Sequence, residues 1–189
     1  MDLTELPAPL RSYVDAEIES GERVTWVDQP IPQRLARANL PLVLFGIPWT
    51  AFAIFWTGGA AWGTSKASGP GFFHLFPLFG LPFILVGVGM LSSPYWTYQA
   101  ARRRVYVLTD RRAIIISVSW RGSVTVRSFA RERLADLQRK QNPDGSGDLI
   151  FTQDIRRDSD GDRHTTSVGF LGVREVKEVE GRVRALYRQ

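Results

Sequence analysis

The chain has 189 residues, 24 of them basic and 19 acidic, with a net charge of +5. It has no cysteine and only two histidines, His74 and His164, which excludes disulfides, thiol nucleophiles, cysteine metal sites and paired-histidine chemistry. The charge is uneven: residues 1–37 hold seven acids against four arginines, and residues 102–189 hold nineteen bases against twelve acids. All but three of the basic residues are Arg, a skew that reads as genomic composition rather than chemistry.

Residues 1–37 read as a cytoplasmic N-terminal segment. Their scattered acids lack the basic-then-apolar order of a signal peptide, so targeting is expected to rest on the first span. A short helix is expected over Ala8 to Ser20, where Leu10, Val14 and Ile18 recur at four-residue steps. The acids opposite that stripe disfavour an anionic membrane, so it is expected to dock on protein.

Residues 38–65 and 67–101 carry no Asp, Glu, Lys or Arg, and only Lys66 separates them. About 20 apolar helical residues cross a hydrocarbon core of about 30 Å. A transmembrane hairpin is therefore expected over 38–101, with spans at about 38–57 and 72–94. The Gly- and Ser-rich stretch between Thr57 and Gly71 reads as a short outer loop. Arg34 and Arg37 precede the first span and Arg102, Arg103 and Arg104 follow the second, against Lys66 alone in the loop, which predicts both termini in the cytoplasm. Pro41, Pro48, Pro77 and Pro82 read as bends tolerated by helix packing. Gly80, Gly87 and Gly89 make no four-residue small-residue repeat, so no dimer seam is argued.

From Arg102 the pattern becomes that of a soluble domain, 102–189. Strands are expected at Val105 to Thr109, Ala113 to Trp120, Ser123 to Phe129, weakly at 134–141, and at Asp148 to Gln153 and Thr165 to Phe170. Asn142 to Gly147 reads as a turn and Arg157 to Arg163 as a polar hairpin tip. From Val173 the period becomes helical: Val173, Val176, Val179, Val183 and Leu186 share one face, with Glu178–Arg182 and Glu180–Arg184 pairs on the other and Glu175 in the first turn. This helix is expected to cover the domain's own core.

Tyr106-Val107-Leu108-Thr109-Asp110-Arg111-Arg112 followed by Ala113-Ile114-Ile115-Ile116 resembles the opening strand pair of bacterial membrane-associated pleckstrin-homology-like domains. Gly21 to Trp26 with Gln29-Pro30 ahead of the first span, Gly147 to Phe151 and Val168 to Phe170 are similar to segments of a proteobacterial two-transmembrane-helix branch. The resemblance covers about residues 21–189. It implies an α+β architecture: a two-helix transmembrane hairpin, then a small antiparallel β-barrel or sandwich of seven strands with one C-terminal helix. Six strands are readable after the spans.

Two readings stand for Arg102, Arg103, Arg104, Arg111 and Arg112. They are candidate lipid-headgroup contacts, each contributing about 1 kcal/mol at an anionic surface, or they set topology and turn structure. Asp110 and Thr109 are expected to brace a tight turn that puts Arg111 and Arg112 at a hairpin tip. Asp158 to Asp162 starts like a calcium loop, but the sixth and twelfth positions hold Arg163 and Gly169, against it. His164 has no nucleophile or oxyanion loop near it in sequence, and no phosphate-binding glycine motif occurs. The expectation is a multi-pass protein of the cell inner membrane, not an enzyme, without cofactor, metal or nucleic-acid partner. Its domain would bind a protein partner or self-associate; alternatively it senses anionic lipid.

Overall fold

The computed structural model describes residues 3–66, 71–134, 136–157 and 163–188. In chain order the elements are α1 (Ala8–Glu17), β1 (Val24–Asp28), α2 (Pro32–Arg37), α3 (Leu40–Lys66), α4 (Leu81–Arg102), β2 (Arg104–Thr109), β3 (Arg112–Val118), β4 (Val124–Ala130), β5 (Gln138–Gln141), β6 (Gly147–Arg157), β7 (Arg163–Val173) and α5 (Val176–Arg188). The chain forms two compact units: Met1–Pro32 with Gln99–Gln189, and Gln33–Tyr98. The first 32 residues thus belong with the C-terminal part of the chain.

The reason is β1. It pairs antiparallel with β2, Val27 opposite Val107 and Asp28 opposite Tyr106. The four-stranded sheet runs β1-β2-β3-β4 and the three-stranded sheet β5-β6-β7. Among the described residues, six strands therefore follow the apolar helices and a seventh precedes them. The two sheets stay separate and are not closed into a barrel.

Both faces of the four-stranded sheet are covered. On one face Leu10 and Val14 of α1, with Leu6, pack on Val27, Val105, Val107, Ile114 and Ile116. On the other, Tyr106, Leu108, Ile115 and Phe129 meet Leu149, Phe151 and Phe170 of the second sheet and Val176, Val179, Val183 and Leu186 of α5. Double coverage explains why β2 and β3 are apolar at nearly every position instead of alternating with polar residues. Each such fully buried aliphatic side chain contributes about 1.5–3 kcal/mol. The docking of α1 agrees with its four-residue apolar steps, although the helix stops at Glu17, because Ile18 is extended.

Phe170 is the centre of the second core. Its ring lies 4.9 Å from Tyr106, 4.8 Å from Phe151 and 5.3 Å from Trp26, centroid to centroid. The buried Tyr106 hydroxyl donates to the Leu171 carbonyl at 3.0 Å and accepts the Leu171 amide at 3.1 Å, so its polar end is satisfied. Burial pushes the Tyr106 hydroxyl up from its ordinary pKa. On β7, Gly169 lets the strand cross β6 closely: a Cβ there would overlap the Leu149 carbonyl. Glu175 precedes α5 rather than lying in its first turn. It has φ of 44°, and its carbonyl accepts the amides of Glu178 and Val179.

The second unit holds the apolar helices, spanning Leu40–Lys66 and Leu75–Arg102 (the latter reaching past the unit's end), long and apolar enough to cross a membrane, with few of their residues buried. Phe55 is 76% exposed and Leu85 69%. The stretch expected as an outer loop from Thr57 is helical through Lys66, since Ala60, Ala61 and Trp62 keep it apolar. The second helix opens with a 3-10 segment, Gly71–Gly80, and continues past Pro94 to Arg102. Pro41 and Pro82 fall in first turns, where a missing N–H costs nothing. Pro48 and Pro94 are the prolines inside α-helices, and the Met90 carbonyl facing Pro94 accepts the Ser93 hydroxyl at 2.8 Å.

The seam between these helices is a small-residue stripe on α3. Gly46, Thr50, Ala53 and Thr57 face Gly80, Gly87 and Met90. A Cβ at Gly87 would overlap the Thr50 hydroxyl. Thr50 and Thr57 donate to the carbonyls of Gly46 and Ala53, at 2.6 and 2.7 Å, so neither hydroxyl is stranded in an apolar setting. Asn39 Nδ2 donates to Thr97 Oγ1 at 2.6 Å and closes one end of the pair. The α3 stripe was readable in the sequence at steps of four, three and four, but only the glycines of the second run suggest themselves to a search for a repeat.

Candidate functional site

The β2–β3 turn is built on Thr109. Its Oγ1 accepts the amides of Arg111 and Arg112, at 3.1 and 3.0 Å, and donates to Glu22 Oε1 at 2.7 Å. Asp110 exchanges two bonds with Arg23: the Asp110 amide donates to the Arg23 carbonyl, and Asp110 Oδ1 accepts the Arg23 amide, both at 3.0 Å. The turn is thus fastened to the segment ahead of β1.

Arg112 is part of that fastening. Its Nε and Nη2 donate to Glu22 Oε1 and Oε2, each at 2.9 Å, and Nη2 also reaches the Glu17 carbonyl at 3.0 Å. The Glu22 side chain is fully buried and that of Arg112 is 19% exposed. The Arg112 hydrogen bonds hold the Glu22 carboxyl at about 2, against the opposing effect of burial. Arg112 is therefore committed inside the protein rather than projecting from a hairpin tip. Arg111 does project: its side chain is half exposed and lies 3.9 Å from Glu19.

Arg102, Arg103 and Arg104 stand at the other end of β2. The Val118 amide donates to the Arg103 carbonyl at 2.9 Å, and Arg104 Nε donates to Ser117 Oγ at 3.2 Å. Gln29 Nε2 donates to the Arg102 carbonyl at 3.0 Å, which joins the point where the chain leaves β1 to the point where it returns, 73 positions later. A strand advances about 3.4 Å per residue, so the six residues of β2 put about 17 Å between this group and the Thr109–Arg112 turn. The five arginines expected as one cluster are two groups at opposite ends of a hairpin.

At the Arg102–Arg104 end a groove of about 480 Å³ opens beside α1. Arg102 and Arg103 line it, together with Leu10 and Tyr13 of α1 and Trp120 of the β3–β4 turn, and among the described residues its lining has no acid. That turn is tight: the Gly122 amide donates to the Ser119 carbonyl, and Gly122 has φ of 84°. It presents Trp120, 71% exposed, with the Arg121 guanidinium 4.7 Å from the ring centroid. Sequence reading singled out neither Trp120 nor Arg121. Their signal was an aromatic followed by Arg-Gly between two β-rich runs, which sequence reading absorbs as the end of a strand.

Other carboxylates are held in ion pairs: Asp28 with Arg174 at 2.8 Å, Glu178 with Arg182 at 2.7 Å, and Asp154 with Arg127 at 2.8 Å. No group of three His, Cys, Asp or Glu side chains suited to a metal ion occurs among the described residues. Asp158 to Asp162 lie outside the described residues; His164 stands on β7 opposite Arg156. No family model, curated protein or solved structure matches the chain.

Proposed function

We propose that this is an integral inner-membrane protein in which the two apolar helices are inserted between β1 and β2 of a cytoplasmic, non-catalytic interaction module. The observation that carries the reading is the β1–β2 pairing. Two strands of one sheet must lie in one compartment, so the chain between them crosses the membrane an even number of times. Two spans satisfy this. The cytoplasmic side follows from the arginines that flank the spans, against Lys66 at the far end.

The pleckstrin-homology-like resemblance fits a four-plus-three arrangement of strands with a C-terminal helix, and it makes the inserted hairpin the β1–β2 connection. A non-catalytic role is supported by the structural use of Glu22, Asp28, Asp154 and Glu178, each of which is held in an ion pair with an arginine. The partner is a protein or a second copy of the chain. β4, at the end of its sheet with five of its seven residues exposed, offers a strand edge for it. Site-specific photocrosslinkers at Thr125 and Arg127, installed in the full chain in native membranes, test this: a discrete adduct supports it, and lipid-only adducts at both positions contradict it.

A second reading, contact with anionic lipid at the cytoplasmic face, is favoured by the basic groove beside α1. It requires Arg102 and Arg103 in place of Arg111 and Arg112.

A further inference from the structure

The geometry points to the groove between α1 and the β3–β4 turn as a binding site for an anionic phospholipid of the surrounding leaflet, with Trp120 as its interfacial anchor and Arg103 and Arg121 as its phosphate contacts. The inference rests on the membrane reading above and deepens its second, lipid-contact form by assigning the interfacial anchor and the phosphate contacts.

Position comes first. The second apolar helix runs from Leu75 to Arg102 and, with its 3-10 opening at about 2.0 Å per residue and α4 at about 1.5 Å, is about 45 Å long, close to a bilayer of about 40–45 Å with its headgroup layers. Arg102 is its last residue. A helix that spans with its apolar length in lipid brings Arg102 to the headgroup layer, and the groove begins there. The β3–β4 turn is tied to the same place by the Val118–Arg103 hydrogen bond.

Chemistry comes second. Leu10, Tyr13 and Val118 give the groove an apolar floor, and Arg102 and Arg103 make its edge basic. Arg103 makes no ion pair among the described residues. An exposed tryptophan with an arginine over its ring, at the tip of a tight turn, is the arrangement that suits a membrane–water interface: the ring seats among the upper acyl carbons and the cation meets phosphate. In open water the same exposed Trp120 has no such compensation. The opposite end of the β2–β3 hairpin lacks this pattern, because Arg112 is occupied by Glu22.

The native chain has no cysteine, so a single reporter is clean. Full-length Ser123→Cys, labelled with bimane, is placed in nanodiscs of phosphatidylcholine alone or with phosphatidylglycerol. Quenching by brominated phosphatidylglycerol is compared with quenching by brominated phosphatidylcholine. The expected result is stronger quenching by the anionic lipid, weakened by salt. Adding Arg103→Ala and Arg121→Ala should cut that preference by about fivefold per charge removed. A reporter at Arg111→Cys should be quenched weakly by either lipid. Equal quenching by both lipids at position 123, or none, overturns the site. So does a response to added inorganic phosphate in phosphatidylcholine discs without any to phosphatidylglycerol, which would make the ligand a soluble anion. A Phe55→Cys reporter separates the failures: quenching there by both lipids keeps the membrane reading even if the groove fails, and its absence removes both.

Discussion

Arg112 grips Glu22 with two donors at 2.9 Å across 90 positions of sequence, and the entire apolar hairpin lies between them in the chain. The pair fastens the segment ahead of β1 to the turn beyond β2. Together with the β1–β2 ladder it makes one folded unit from two pieces of chain.

Breaking the pair should cost stability. Glu22→Gln leaves the Arg112 guanidinium without its buried counter-ion, a loss of about 3 kcal/mol. Arg111→Ala, half exposed and 3.9 Å from an exposed Glu19, should change unfolding by less than about 0.5 kcal/mol. Chemical denaturation of the full chain in detergent micelles measures both. Equal effects would mean that Arg112 is not held as described.

Acid should reproduce the first of these effects. The Glu22 carboxyl sits at about 2 in the folded protein against an ordinary 4.5. A depressed carboxyl stabilises the fold at pH values above its unfolded pKa, and this contribution is lost as the pH falls through the folded one. Wild type should therefore lose on the order of 3 kcal/mol between about pH 5 and pH 2 that Glu22→Gln does not lose. Parallel stability–pH curves for the two proteins would contradict the assignment.

Residues 102–189 alone should fold poorly, because Val105, Val107, Ile114 and Ile116 would lose α1 and β1. A chain in which a short linker replaces residues 33–98 should be soluble and unfold cooperatively, since the Gln29–Arg102 hydrogen bond brings the cut ends together. Val179→Asp in that chain puts a carboxylate into the core and should abolish the cooperative transition. Cooperative folding of 102–189 without the first 32 residues would remove β1 from the account.

Within the membrane pair, Gly87→Leu should lower the midpoint of unfolding in sodium dodecyl sulfate, because the new side chain meets Thr50. Gly89→Leu, with open space beside it, should not.

The spans were legible because a run without charge needs no partner to be recognised. Strands β2 to β4 were legible from dense β-branched composition, and α5 from its period. β1 was not: five residues, Val-Thr-Trp-Val-Asp, make no pattern of their own, and the strand that pairs with them lies 80 positions away. The same distance hid the role of Arg112. In sequence Thr109-Asp110-Arg111-Arg112 reads as a polar tip, and nothing local says that Glu22 will reach the second arginine and leave the first exposed. The groove was hidden for a related reason, since α1, the end of α4 and the β3–β4 turn meet only in the folded unit.

The central claim is that β1 and β2 share a compartment. Single cysteines at Ser20, Gly63 and Lys177, probed with a membrane-impermeant maleimide in right-side-out and inverted vesicles, test it most directly. Positions 20 and 177 should label together from the cytoplasmic side and position 63 from the other. Labelling of positions 20 and 177 from opposite sides would make the Val27–Val107 pairing impossible and contradict the account.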